Sequence, residues 1–92
     1  MKDDKKMDHL IEAFLSLEDS DTCRRFLADI TTPKELKDMK ERLDVARLLY
    51  EGKTYEKIIK ETGMSSTTIA RINRTLHHGE DGYKEVLEKI KD

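Results

Sequence analysis

Residues 54–74, TYEKIIKETGMSSTTIARINR, read as a helix-turn-helix, and this stretch decides how the remaining residues are understood. Thr54 has the hydroxyl needed to cap a helix, because it can accept from the free backbone N–H groups of the first turn. Ile58 and Ile59 then face a core, while Glu56, Lys57 and Lys60 stay in water. Gly63 falls where that helix must stop, and glycine enters the left-handed backbone region at little steric cost. Met64 fills the apolar space under the turn. Ser65 or Ser66 caps the next helix, whose apolar side chains Ile69, Ile72 and Leu76 recur at spacings of three and four up to Gly79. The opposite face carries Ser66, Thr67, Ala70, Arg71 and Arg74, with no acid between Glu61 and Glu80. Short side chains at the start of a helix let it enter a major groove, and arginines fork onto guanine edges or grip phosphates. The candidate DNA-contacting set is therefore Thr54, Lys57, Lys60, Ser65, Ser66, Thr67, Thr68, Ala70, Arg71 and Arg74. Within it Thr67, Ala70 and Arg71 are expected at base edges, and Lys57, Lys60 and Arg74 at phosphates. The bland counterpart is an ordinary capped helical hairpin, since serine and threonine are good caps in any protein.

A chain of 92 residues makes a single domain. Charged residues at 41%, aromatics at 5% and a single proline favour a well-solvated helical protein over a sheet. The net charge of −2 argues against nucleic acid, but its distribution does not. Residues 1–22 carry three bases against seven acids, and residues 80–92 three against five. Residues 53–79 carry five bases against two acids, so the basic surplus coincides with the helix-turn-helix. Screening acts over about 10 Å at ordinary salt, so this local charge outweighs the total.

The other helices are read from caps and periodicity. Met7, Leu10, Ile11, Phe14, Leu15 and Leu17 form a helical stripe over roughly 4–17. Asp19, Ser20 and Asp21 break it and cap a second helix near 21–30, carrying Cys23, Phe26, Leu27 and Ile30. Cys23 is the only cysteine, which excludes an intramolecular disulfide, and its register suits a buried free thiol. Thr32-Pro33-Lys34-Glu35 is a capping box opening the longest helix, near 33–51. Leu36, Met39, Leu43, Ala46 and Tyr50 form its stripe, widened by Val45, Leu48 and Leu49, so it is expected to be central. Gly52 ends it, and Asp81-Gly82 opens a last helix carrying Tyr83, Val86, Leu87 and Ile90. The outcome is an all-α fold of six helices: 1–52 for dimerisation, 54–78 for the helix-turn-helix, 81–91 at the C-terminus. One such unit cannot cover the stripe of the first helix, so a second subunit is expected to.

The helix order, the TP-x-E start of the third helix, its LL-x-E-G close and the T-I-A-R run of the second motif helix resemble the Trp repressor superfamily. Within it the chain is most similar to the YerC/YecD-like branch, from about Phe26 to Ile90. Thr32-Pro33, Arg42, Gly52 and Asp81-Gly82-Tyr83 make the resemblance more specific than the motif alone. It implies a Trp-repressor-like fold in an intertwined homodimer, two heads presented to successive major grooves, and a transcriptional regulator, most simply a repressor, of double-stranded DNA. In that family two arginines sandwich the indole of tryptophan, and Arg42 and Arg71 match them. The glycine that leaves room for the ring is replaced here by Ile72, so tryptophan is not expected as co-repressor. Arg42, Arg71 and Thr75 remain the candidate lining for some other effector, and no cofactor is expected.

Other functions find little support. Adjacent residues on a helix point about 100° apart, so His77 and His78 cannot chelate one metal from one face. No nucleophile has a neighbouring base and no carboxylates are paired for catalysis, so the protein is not expected to be an enzyme. No signal peptide or long apolar run is present, which places the chain in the cytoplasm, on the bacterial nucleoid when bound, with no membrane partner. The rival reading is a dimeric helical module for protein or RNA contacts, kept open by Glu56, whose carboxylate repels phosphate.

Overall fold

The computed structural model describes residues 4–91; the first three residues and Asp92 of the expected domain lie outside them. Among the described residues it has six α-helices and no strand: α1 (Lys5–Leu15), α2 (Ser20–Ile30), α3 (Pro33–Tyr50), α4 (Tyr55–Thr62), α5 (Ser66–His78) and α6 (Gly82–Ile90). Side chains at the junctions set most of the ends. Asp4 accepts from the Met7 N–H at 3.0 Å and starts α1. At its other end the Ser16 hydroxyl donates to the Ala13 carbonyl at 2.7 Å, which closes the last turn and leaves Leu17 outside the helix expected to include it. Asp19 accepts from the Thr22 N–H at 2.7 Å and from the Thr22 hydroxyl at 3.1 Å, so α2 begins at Ser20. The capping box forms in both directions. The Glu35 N–H donates to the Thr32 hydroxyl at 3.1 Å, and the Thr32 N–H donates to the Glu35 carboxylate at 2.8 Å. At the far end of α3, Gly52 (φ 86°) turns the chain. The Lys53 N–H reaches the Leu48 carbonyl and the Gly52 N–H the Leu49 carbonyl, both at 3.0 Å. That pair of bonds is a Schellman stop, and it needs the left-handed backbone that glycine supplies.

The chain forms two compact units, residues 1–36 and 37–92. In the first, the rings of Phe14 and Phe26 meet edge to face with centroids 5.4 Å apart. No residue of α1 or α2 is buried. Met7, Leu10, Ile11 and Phe14 keep between 38 and 51% of their surface exposed. Cys23, expected to be buried, is only half-buried, because this unit has no interior in which any side chain is closed off.

The second unit has a true core. Val45, Ala46 and Leu48 of α3 join Ile58 of α4, Ile69, Ile72 and Leu76 of α5, and Leu87 of α6. Leu49, Met64 and Tyr83 pack against them, half-buried. Two readings of the sequence are corrected here. Ile59 is 40% exposed, since α4 turns its neighbour Ile58 inward and successive helical side chains diverge by about 100°. On α3 the wider positions Val45 and Leu48 are buried with Ala46, whereas Met39, Leu43 and Tyr50 of the expected stripe are exposed. A polar cluster ties the end of α3 to α6. The Tyr50 hydroxyl donates to the Glu88 carboxylate, which also accepts from the Lys91 ammonium at 2.7 Å. The ammonium and then the phenol hold the Glu88 carboxyl below its ordinary range, and the same carboxylate pushes the Tyr50 phenol up.

The Thr22 N–H, followed by the Thr22 hydroxyl, depresses the Asp19 carboxyl below its ordinary 3.8. A depressed carboxyl contributes stability above its unfolded value that is lost as pH falls through the folded value. Asp19→Asn keeps a capping oxygen but no longer titrates. Its melting temperature should therefore fall less than that of the parent between about pH 5 and pH 2, as followed by circular dichroism.

Candidate nucleic-acid interface

The turn between α4 and α5 is built from short hydrogen bonds within 54–68. The Lys57 N–H donates to the Thr54 hydroxyl at 3.2 Å, opening α4. Gly63 (φ 73°) closes it with a 2.8 Å bond from its own N–H to the Ile59 carbonyl. Thr62 locks the exit. Its hydroxyl donates to the Ile58 carbonyl at 2.7 Å and accepts from the Met64 N–H at 3.2 Å. Ser65, rather than Ser66, is the second cap; it accepts from the Thr68 N–H at 3.1 Å, and its hydroxyl donates to that of Thr68 at 3.0 Å. Burial of Ile69, Ile72 and Leu76 then fixes how α5 is rotated about its axis.

That rotation leaves Ser66, Thr67, Ala70, Arg71 and Arg74 exposed together. Thr67, Ala70, Arg71, Arg74 and Thr75 line a shallow hollow of about 420 Å³ on this helix. The Thr75 hydroxyl donates back to the Arg71 carbonyl at 3.2 Å. Helix α5 has no acid in its first turn or anywhere along its length, and neither Arg71 nor Arg74 has an ion-pair partner among the described residues. On α4, Lys57 lies 3.6 Å from Glu61 with both side chains well exposed, a pairing weak enough for a phosphate to displace. Lys60 is exposed and has no such partner among the described residues.

The ten candidate contacts thus fall into two groups. Ser66, Thr67, Ala70, Arg71 and Arg74 on α5, with Lys57 and Lys60 on α4, present free or weakly held side chains to solvent. The hydroxyls of Thr54, Ser65 and Thr68 are engaged in holding the turn, and Thr68 is half-buried. Of the candidate effector set, Arg71 and Thr75 share the α5 hollow, whereas Arg42 is exposed on α3 and does not line it. Ile72 is 6% exposed and belongs to the core.

A second hollow of about 530 Å³, with Leu43, Thr75, Gly79, Tyr83 and Val86 among its walls, had no warning in the sequence. Its walls come from positions some 40 residues apart; periodicity had placed Leu43, Tyr83 and Val86 on the stripes of their own helices, and Thr75 and Gly79 on none. Gly79 is required there by close approach, since a Cβ would lie 2.5 Å from the Thr75 carbonyl oxygen. The start of α6 also departs from an ordinary cap. Asp81 adopts φ 63° and its side chain caps nothing, leaving a non-glycine residue in the left-handed region.

Capped α4, a glycine turn and a capped α5 with a free basic face define a helix-turn-helix protein. The family model of the Trp repressor protein matches residues 5–91. The chain is 44% identical over 88 residues to the uncharacterised protein YerC of Bacillus subtilis (strain 168), spanning 96% of this chain and 85% of that one. It superposes on a TrpR-like protein from Eubacterium eligens ATCC 27750 with TM-score 0.88 and 39% identity, over 95% and 90% of the two chains. A candidate Trp repressor from Staphylococcus aureus gives TM-score 0.88 at 35% identity, over 96% and 88%. The chain belongs to the Trp repressor family, in its YerC-like branch, and that family is regulatory rather than enzymatic. Among the described residues no helix is long and apolar enough to cross a membrane.

Because the Ser65 hydroxyl both accepts from the backbone and steadies Thr68, Ser65→Ala should lower stability by about 1 kcal/mol in urea titration, with the slope of the transition unchanged.

Proposed function

We propose that this chain is a sequence-specific, DNA-binding transcriptional regulator, most simply a repressor, that works as a homodimer. The observation that carries this reading is the exposed face of α5. It has two arginines without an ion-pair partner among the described residues, small side chains and no carboxylate, on a helix whose opposite side is anchored in the core. Such a face suits a major groove lined by phosphates, and its N-terminal turn is narrow enough to approach base edges. The names of the solved relatives, TrpR-like and candidate Trp repressor, agree with it. Within this reading residues 1–52 serve dimerisation, 54–78 the DNA and 81–91 the closing of the core.

A further observation supports a partner chain: the apolar side chains of α1 are uncovered. Sedimentation of the protein at micromolar concentration should show a dimer, and Leu10→Asp, which sets a charge on the α1 face, should shift it to monomer.

For DNA, selection from random duplexes should enrich a roughly palindromic site with half-sites about 34 Å apart. Lys60→Ala should weaken every duplex and lower the salt slope by about one. If no motif is enriched and every duplex binds more weakly than about 10⁻⁴ M at physiological salt, the helix-turn-helix serves protein or RNA contacts instead.

Tryptophan is not the effector in this reading. Ile72 sits where the family leaves room for the indole, and its burial with Ile69 and Leu76 means it cannot swing aside without opening the core. Calorimetric titration with L-tryptophan should show no saturable heat at micromolar concentrations, and saturable binding there would refute this assignment.

A further inference from the structure

The DNA reading does not say which base chemistry α5 selects, and the next step rests on that reading. We propose that the α5 hollow receives the 5-methyl group of a thymine in each half-site, with the Arg71 guanidinium on a guanine in the neighbouring base pair. Ala70 ends at its Cβ, and Thr67, one turn earlier, adds a γ-methyl; both are exposed and both line the hollow. A longer residue at position 70 would fill the space. Among the base edges of the major groove the thymine methyl is the apolar group, so a methyl-walled hollow between cations has one matching occupant.

The remaining donors and acceptors narrow the neighbour. Reading cytosine through its amino group calls for a carboxylate, and α5 has none. Reading adenine bidentately calls for an amide, and the one on α5, Asn73, is half-buried and not part of the hollow. Arginine forks onto guanine O6 and N7, and Arg71 follows Ala70 directly with no ion pair to break among the described residues. The Thr75 hydroxyl is occupied by the Arg71 carbonyl and does not compete for the base.

The test uses the full chain and a duplex recovered by selection. Each thymine of the half-site is replaced singly by deoxyuridine, which deletes only the methyl. One position should weaken binding about fourfold per half-site, the value of one buried methyl, and the others by less than twofold. Thr67→Ser, which keeps the hydroxyl and removes the γ-methyl, should bring that sensitivity below twofold, whereas Thr67→Val should retain it. Replacing the neighbouring guanine by 7-deazaguanine should weaken binding about fivefold or more, by removing the N7 acceptor. A selected site in which no thymine is sensitive, or whose sensitivity is unchanged in Thr67→Ser, overturns the thymine assignment and leaves DNA binding standing. Failure to enrich any duplex overturns both.

Discussion

Burial of Ile69, Ile72 and Leu76 against Ile58, Val45 and Leu87 is the constraint on which the candidate site depends. A helix lying on a protein surface can rotate about its own axis unless its apolar side chains are held. Here three of them, at helical spacing, are enclosed by residues from three other helices. Every exposed side chain of α5 is consequently aimed by residues enclosed in the core. The glycine turn and the two hydroxyl caps finish the arrangement by fixing where α5 begins relative to α4. A site on so short an element needs this support, because a small rotation would trade Thr67 and Arg74 for a neighbouring pair.

The two units solve the problem of stability differently. Residues 37–92 enclose a core, whereas residues 1–36 hold together through aromatic contact, caps and half-buried side chains. An amphipathic helix pair with no buried residue contributes little by itself, since burial supplies most of the favourable energy of folding. The apolar content of α1 is therefore spent on something outside its own unit, and a second copy of the chain is the covering we propose.

Charge follows the same division of labour. The protein is acidic overall, yet α5 is free of acids, and the ion pairs found among the described residues sit elsewhere or are solvent-weakened. Arg47 is held by Asp44 and Glu51, and Arg25 by Asp21, so those cations are committed. Arg71 and Arg74 are not. Basic residues without carboxylate partners have no internal competitor for phosphate or base.

Most of the architecture was legible in the residue order. Gly63 and Gly52 marked helix ends, Thr32 with Glu35 marked a capping box, and the three- and four-residue spacings located all six helices, because those features act within a few residues along the chain. The small, acid-free face of α5 could be read the same way. Other features depended on contacts between distant segments. Only packing decided that Ile58 is enclosed while Ile59 faces solvent, that Val45 and Leu48 turn inward while Met39 and Leu43 do not, and that Tyr50 meets Glu88. Capping chemistry offered both Ser65 and Ser66, and only the structure decided that Ser65, with Thr68, serves the turn and leaves Thr67 and Ala70 open on the hollow. The sequence by itself determined which residues could be inside; the tertiary structure decided which of them are, since burial depends on neighbours far along the chain.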